Sequence, residues 1–259
     1  MPAVRPTVCF CSIAFRDRPL SEIIQLLATA GYDGIEIWAN HLDGMRDADL
    51  DDLRQLANDL GVQPTVIAPY FWLTRDLPEL LEESYRIAER SVAQARRLGA
   101  SRIRTFIDSG ADGITSAVAT EDHWKRAVAA LQRITAIAPE MMFVVETHPW
   151  TLADKPESTL RLLERVGAAN LMVNYQPDGG DPMPGYRLLR PHIRHLHLQN
   201  PPAADAPGYL EEGTSPLPPL LAALRQDGYT GSLSVEYCWK GVEPARAASA
   251  RAWLAQHGI

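Results

Sequence analysis

A helical stretch that closes on glycine and gives way within a few residues to a short apolar strand recurs along this chain. That repeat limits its folds more than any other feature. It occurs at Gly31 before Gly34 to Trp38, at Gly61 before Val62 to Ala68, and at Gly99 before Arg102 to Ile107. It returns at Gly167 before Leu171 to Tyr175 and at Gly228 before Ser232 to Glu236. Two further helices stop at Pro139 and Pro191, ahead of strands over Met141 to Glu146 and Ile193 to Leu198, and Val8 to Ala14 opens the chain with another. Strands alternating with helices predict a parallel sheet.

The helical stretches have the period this requires. Leu20, Ile23, Ile24 and Leu27 form one apolar stripe, and Leu50, Leu53, Ala57 and Leu60 form the next, with Asp49 and Asp52 as the expected cap and acidic first turn. A longer helix over Pro78 to Leu98 places Leu81, Ala88, Val92 and Ala95 on one face and its charges largely elsewhere. Trp124 and Trp253 fall in helical stretches as packing residues. With 259 residues, 46% of them hydrophobic, the chain has the size of one (β/α)8 TIM barrel, a single domain over residues 1–259. An open doubly wound sheet is the rival, but no GxGxxG follows the first strand.

Composition narrows the partners. A net charge of -7 without a Lys/Arg run predicts no nucleic-acid partner. No run approaches the length of a membrane span, and the start, Met1 to Pro6, leads into no apolar leader core, so a cytoplasmic protein without membrane attachment is expected. Cys9, Cys11 and Cys238 are read as thiols, the first two on one face of a strand. A homo-oligomer is compatible with all of this. The stretch Asn200 to Pro207 reads as an extended loop over the barrel mouth.

In such a barrel the active site lies at the carboxyl ends of the strands. Glu36, Glu146, His148, Gln176, His197 and Glu236 fall at these ends, and His195, a residue pair deeper than His197, reads as structural. Glu146 and His148 share one side, as do His195 and His197. Burying two carboxylates near one another is costly unless a cation or a proton compensates them, and the convergence of Glu146, His197 and Glu236 favours a metal site. Glu36 is weighed between contacting substrate and anchoring its neighbours. Trp38, Trp72, Trp150 and Trp239, joined by Tyr70 and Phe71, lie at or just past strand ends, where flat apolar faces suit the C–H face of a sugar.

Four segments in order carry a recognisable pattern: Ala30 to Trp38, Val145 to Pro149, Ile193 to Leu198 and Gly228 to Tyr237. On these the chain resembles the sugar phosphate isomerase/epimerase superfamily with the xylose isomerase-like barrel, nearly end to end. The resemblance implies a divalent ion (Mn2+, Mg2+, Co2+ or Zn2+) held by Glu146, His197 and Glu236, with both glutamates moving protons and His148 touching a substrate oxygen. It places Gln176 where the family has an Asp, so the site loses one formal charge, with Asp178 or Asp181 as substitutes. The family's Lys-Asp after the strand-7 His is Gln199-Asn200 here, and the following Arg of ketose epimerases is Ala203.

The expected function is therefore metal-dependent isomerisation or epimerisation of a small sugar, keto-sugar or sugar acid by proton transfer beside a carbonyl. A dehydratase of an inosose or keto-sugar is the alternative, since it shares the first proton abstraction. An endonuclease IV-like phosphodiesterase and a non-catalytic sugar-binding barrel rank below these. The first needs more His and acidic ligands than this mouth offers, and the second is kept by the changed strand-6 position.

Overall fold

The computed structural model describes residues 5–108, 113–201 and 208–259. Eight parallel strands close in sequence order into a barrel: β1 (Thr7–Cys11), β2 (Gly34–Trp38), β3 (Gln63–Ala68), β4 (Arg102–Thr105), β5 (Met142–Glu146), β6 (Leu171–Tyr175), β7 (Ile193–Leu198) and β8 (Ser232–Val235). The connecting helices are α1 (Leu20–Ala30), α2 (Asp47–Leu60), α3 (Pro78–Leu98), α4 (Glu121–Ile137), α5 (Pro156–Val166), α6 (Met183–Leu189), α7 (Pro218–Gln226) and α8 (Ala245–Gln256). β1 pairs with both β2 and β8, so the sheet has no open edge and the doubly wound alternative is excluded. Of the stretch expected over the mouth, residues 202–207, Ala203 among them, lie outside the described residues.

Alternation along each strand divides apolar from polar. Phe10, Ile35, Ile37, Ile103, Phe143, Val145, Val173, Leu196, Leu233 and Val235 are fully buried and join one apolar cluster with the helices. That layer fills the space between barrel and helices, and it is the molecule's main stabilising burial. Intervening residues are polar or small and also buried: Cys9, Glu36, Arg104, Glu146, Asn174, His195, His197 and Ser234. The interior is thus paved with groups that need partners, and the partners they find define the site.

Close packing explains Gly34 near the barrel floor. A Cβ there would lie 2.5 Å from Thr65 Oγ1 and 2.8 Å from the Gln63 carbonyl oxygen, so no side chain fits. Gly31 ends α1 in the left-handed region at φ 81°, which an L side chain adopts only with strain. Helix α2 begins three residues earlier than expected, with Arg46 and not Asp49 at its cap. Asp49 lies inside its first turn and accepts from the Arg46 backbone N–H at 2.8 Å, so it closes the turn without being the cap residue itself. Leu60, counted in the apolar stripe, is exposed. Cys9, Cys11 and Cys238 are free thiols, the first two buried.

Candidate metal centre and active site

β5, β6, β7 and β8 each bring one side chain to a common point above the barrel interior. Glu146 is the last residue of β5, Gln176 follows β6, His197 is the penultimate residue of β7, and Glu236 follows β8. His197 Nδ1 lies 3.0 Å from Glu236 Oε2 and 3.6 Å from Glu146 Oε1. The Gln176 amide atom nearest the centre, Oε1, lies 2.9 Å from His197 Nδ1 and 3.1 Å from both Glu236 Oε2 and Glu146 Oε1. Adjacent ligands of an ion with bonds of about 2.1 Å are separated by about 3.0 Å, which is the spacing seen here.

The donor set decides what such a cluster needs. Carboxylate and amide oxygens facing one another are all acceptors, and buried acceptors in contact repel unless a cation lies between them. Turning the amide over would place its nitrogen there, donating to both carboxylates; that is the arrangement of a centre without an ion. With the oxygen inward the four groups form an oxygen-rich set with one imidazole, suited to a divalent ion.

Glu36 orients the imidazole from below. Its carboxylate is wholly buried in β2, with Oε2 3.0 Å from His197 Nε2 and 3.2 Å from His195 Nε2. A proton on His197 Nε2 given to Glu36 leaves the Nδ1 lone pair facing the centre, the usual service of a carboxylate behind a ligating histidine. Burial drives the Glu36 carboxyl upward, but His197 and then His195 outweigh it and hold it well below the ordinary carboxylate range. Burial lowers the His197 imidazole, and Glu236, Glu36 and Glu146 together override that and raise it well above the ordinary histidine value. Without a metal ion, a proton on His197 balances the surrounding carboxylates. His195 is held by Ser232 Oγ at 2.6 Å as well as by Glu36, and burial lowers its imidazole.

Above the centre opens a cavity of about 300 Å³ bordered by Tyr70, Arg104, Phe106, His148, Trp150 and Glu236, with Glu146 also in its wall. Arg104 is buried on β4. Its Nη1 donates to Glu146 Oε2 at 2.8 Å and its Nη2 to the Pro69 carbonyl at 3.0 Å, while its guanidinium carbon lies 4.5 Å from the Tyr70 ring centre. Burial pushes the Glu146 carboxyl up, yet Arg104 and then His197 bring it down to about 2. Asp108, also at the cavity, holds the segment after β3 by accepting from the Leu73 N–H at 3.0 Å and from the Thr74 hydroxyl.

The other residues expected at the site lie as follows. Glu36 does not border this cavity; it lies beneath His197. Trp38 packs edge-on against His41, Trp239 lies against Tyr237 and Tyr209, and Trp72 pairs its backbone with Asp108, so none of the three lines this cavity. Phe71 is fully buried. Of the tryptophans named for the mouth, Trp150 borders it, 60% exposed and in a left-handed backbone conformation at φ 70°. Asp178 and Asp181 accept from the backbone N–H groups of Gly180 and Met183 and stand outside the four-residue cluster. Arg104 and Phe106 were not singled out from the sequence. The available signal was Arg102-Ile103-Arg104, two charges on one face of a strand otherwise bound for a core.

The model of the xylose isomerase-like TIM barrel family matches residues 24–257, and the chain belongs to that family. It is 30% identical over 207 residues to a 3-dehydroshikimate dehydratase of Bacillus anthracis, covering 75% of this chain and 72% of that protein. It is 26% identical over 250 residues to a Streptomyces coelicolor protein assigned as a hydroxypyruvate isomerase, covering 87% and 88%. Among solved structures, that of an L-ribulose 3-epimerase superposes with a TM-score of 0.82 at 19% identity, over 98% of this chain and 94% of the other, and shows the shared fold.

Proposed function

We propose that this protein is a divalent-metal enzyme that moves a proton on the carbon beside a carbonyl in a small sugar, keto-sugar or sugar acid, as an isomerase or epimerase. The observation that carries the reading is the convergence of Glu146, His197 and Glu236, whose potential ligand atoms lie close enough to share one ion, with the Gln176 amide beside them. A bound Mn2+, Mg2+, Co2+ or Zn2+ would polarise the substrate carbonyl and its neighbouring hydroxyl, which acidifies the adjacent C–H bond. Glu146 and Glu236 border the cavity as the carboxylates to which the proton can pass. His148 borders the cavity where it can hydrogen-bond a substrate oxygen, and Tyr70, Phe106 and Trp150 offer flat apolar faces to its carbon skeleton.

A dehydratase is the second reading, favoured by the 30% identity to the Bacillus anthracis enzyme. It begins with the same proton abstraction and ends with loss of a hydroxyl. The partner in either case is a small carbohydrate-like molecule. Among the described residues no helix is long and apolar enough to cross a membrane, and three free thiols suit the reducing cytoplasm. The test is to incubate metal-loaded and chelator-treated protein with hydroxypyruvate, a panel of ketoses and 3-dehydroshikimate, reading products by NMR. An isomeric product formed only by the loaded protein supports the first reading, and a product lighter by one water supports the second. No conversion of any of them contradicts both.

A further inference from the structure

We infer that Glu236 alone carries the substrate proton while Arg104 ties Glu146 to holding the metal, so that the reaction is confined to one face of the substrate. This rests on the proposed enolising function and narrows it. Both oxygens of Glu146 are engaged: Oε2 receives the Arg104 Nη1–H at 2.8 Å, and Oε1 faces Gln176 and His197 in the cluster. Arg104 cannot readily release it. The guanidinium is buried, anchored through Nη2 to the Pro69 carbonyl, and lies against the rings of Tyr70 and Phe106. A carboxylate tied through one oxygen by a charge-assisted hydrogen bond and turned through the other into the metal cluster has no free oxygen to accept a proton from carbon.

Glu236 differs. It gives Oε2 to the cluster, and among the described residues no side chain donates a hydrogen bond to its Oε1, while the residue borders the cavity. In the step this allows, the C–H bond beside the carbonyl breaks, its proton goes to Glu236 Oε1, and the electron pair moves into a C–C double bond as the carbonyl oxygen becomes an enolate. Glu236 then returns the proton to the same face of that carbon; or to the same face of the former carbonyl carbon, while the hydroxyl on the first carbon passes its proton to the enolate oxygen and becomes the new carbonyl; or to a hydroxyl that departs as water while the enolate re-forms the carbonyl and a C–C double bond is left. Isomerisation and dehydration fit a single base. Inversion of a stereocentre does not, because it needs a proton donor on the opposite face.

Hydroxypyruvate reads this directly, since its CH2OH carbon carries two hydrogens on opposite faces. The Mn2+-loaded protein is incubated with it in deuterated water, and the recovered keto acid is weighed by mass spectrometry against a protein-free control. One deuterium per molecule at plateau is expected. Two would overturn the one-base assignment while leaving the enolising function intact, and none, with Mn2+ bound, would overturn both. Glu236→Gln should slow the exchange by about 10²-fold or more, and an unchanged rate overturns the assignment. Arg104→Gln, checked for folding by circular dichroism and for Mn2+ by electron spin resonance, should admit the second deuterium by freeing Glu146. A plateau still at one in that folded, metal-bound variant would overturn the part given to Arg104.

Discussion

Glu36 Oε2 stands 3.0 Å beneath His197 Nε2, on the far side of the imidazole from the cluster that Nδ1 faces. The pair fixes both the ring's direction and the nitrogen that keeps its lone pair. Glu36→Gln keeps the size and removes the charge that favours this tautomer. Mn2+ affinity should fall by about 10- to 100-fold, the usual effect of removing such a support, with little change in fold. Calorimetric titration of both metal-free proteins checks this; equal affinities would mean that Glu36 only fills the barrel.

Metal uptake should release a proton. Burial and then the three carboxylates set the His197 imidazole, with the net result well above its ordinary value of 6.5, so the metal-free protein holds this proton at pH 7. An incoming ion must displace it. Affinity therefore rises with pH until the metal-free imidazole deprotonates on its own, and falls as pH drops. Titrating Mn2+ at pH 7 in buffers of different ionisation enthalpy should give about one proton released per ion bound. Release of none would place the proton elsewhere.

Gln176→Asp restores a third carboxylate to the cluster. The Gln176 amide atom at the centre is 3.1 Å from each glutamate, so a side chain of this length reaches the cluster. Added formal charge should tighten Mn2+ binding, provided the shorter side chain reaches. Gln176→Glu keeps the length and should show the same sign. Titrating both variants beside wild type checks it, and unchanged affinity in both would take position 176 out of the ligand set.

Removing Arg104 has a stability cost separate from any catalytic one. Arg104→Met leaves Glu146 buried without its cationic partner, and breaking such a pair from one side costs about 3–5 kcal/mol. A matching fall in the denaturation midpoint of the metal-free protein is expected. A change under about 1 kcal/mol would mean that Glu146 finds compensation elsewhere.

The barrel was readable because two periods, helical and strand, alternate with clear punctuation, and a carboxylate at a strand end stands out in an apolar run. Glu146, His197 and Glu236 were visible for that reason. Glu36 was read as the end of its strand, but it is the third of five residues in β2, and its depth turns it from the mouth to the histidines. Arg104 was hidden because its role depends on reaching Glu146, 42 residues away in sequence, across paired strands. Sequence position does not tell which way a tryptophan near a strand end turns: Trp150 borders the cavity, whereas Trp239 packs against Tyr237 and Tyr209.

The central claim is that Glu146, Gln176, His197 and Glu236 share one divalent ion. Its most direct test is Mn2+ titration of the metal-free protein followed by electron spin resonance, with His197→Ala as the control. One tightly held ion per chain in wild type, lost or severely weakened in His197→Ala, is the predicted result. No bound ion, or equal binding by both proteins, would contradict it.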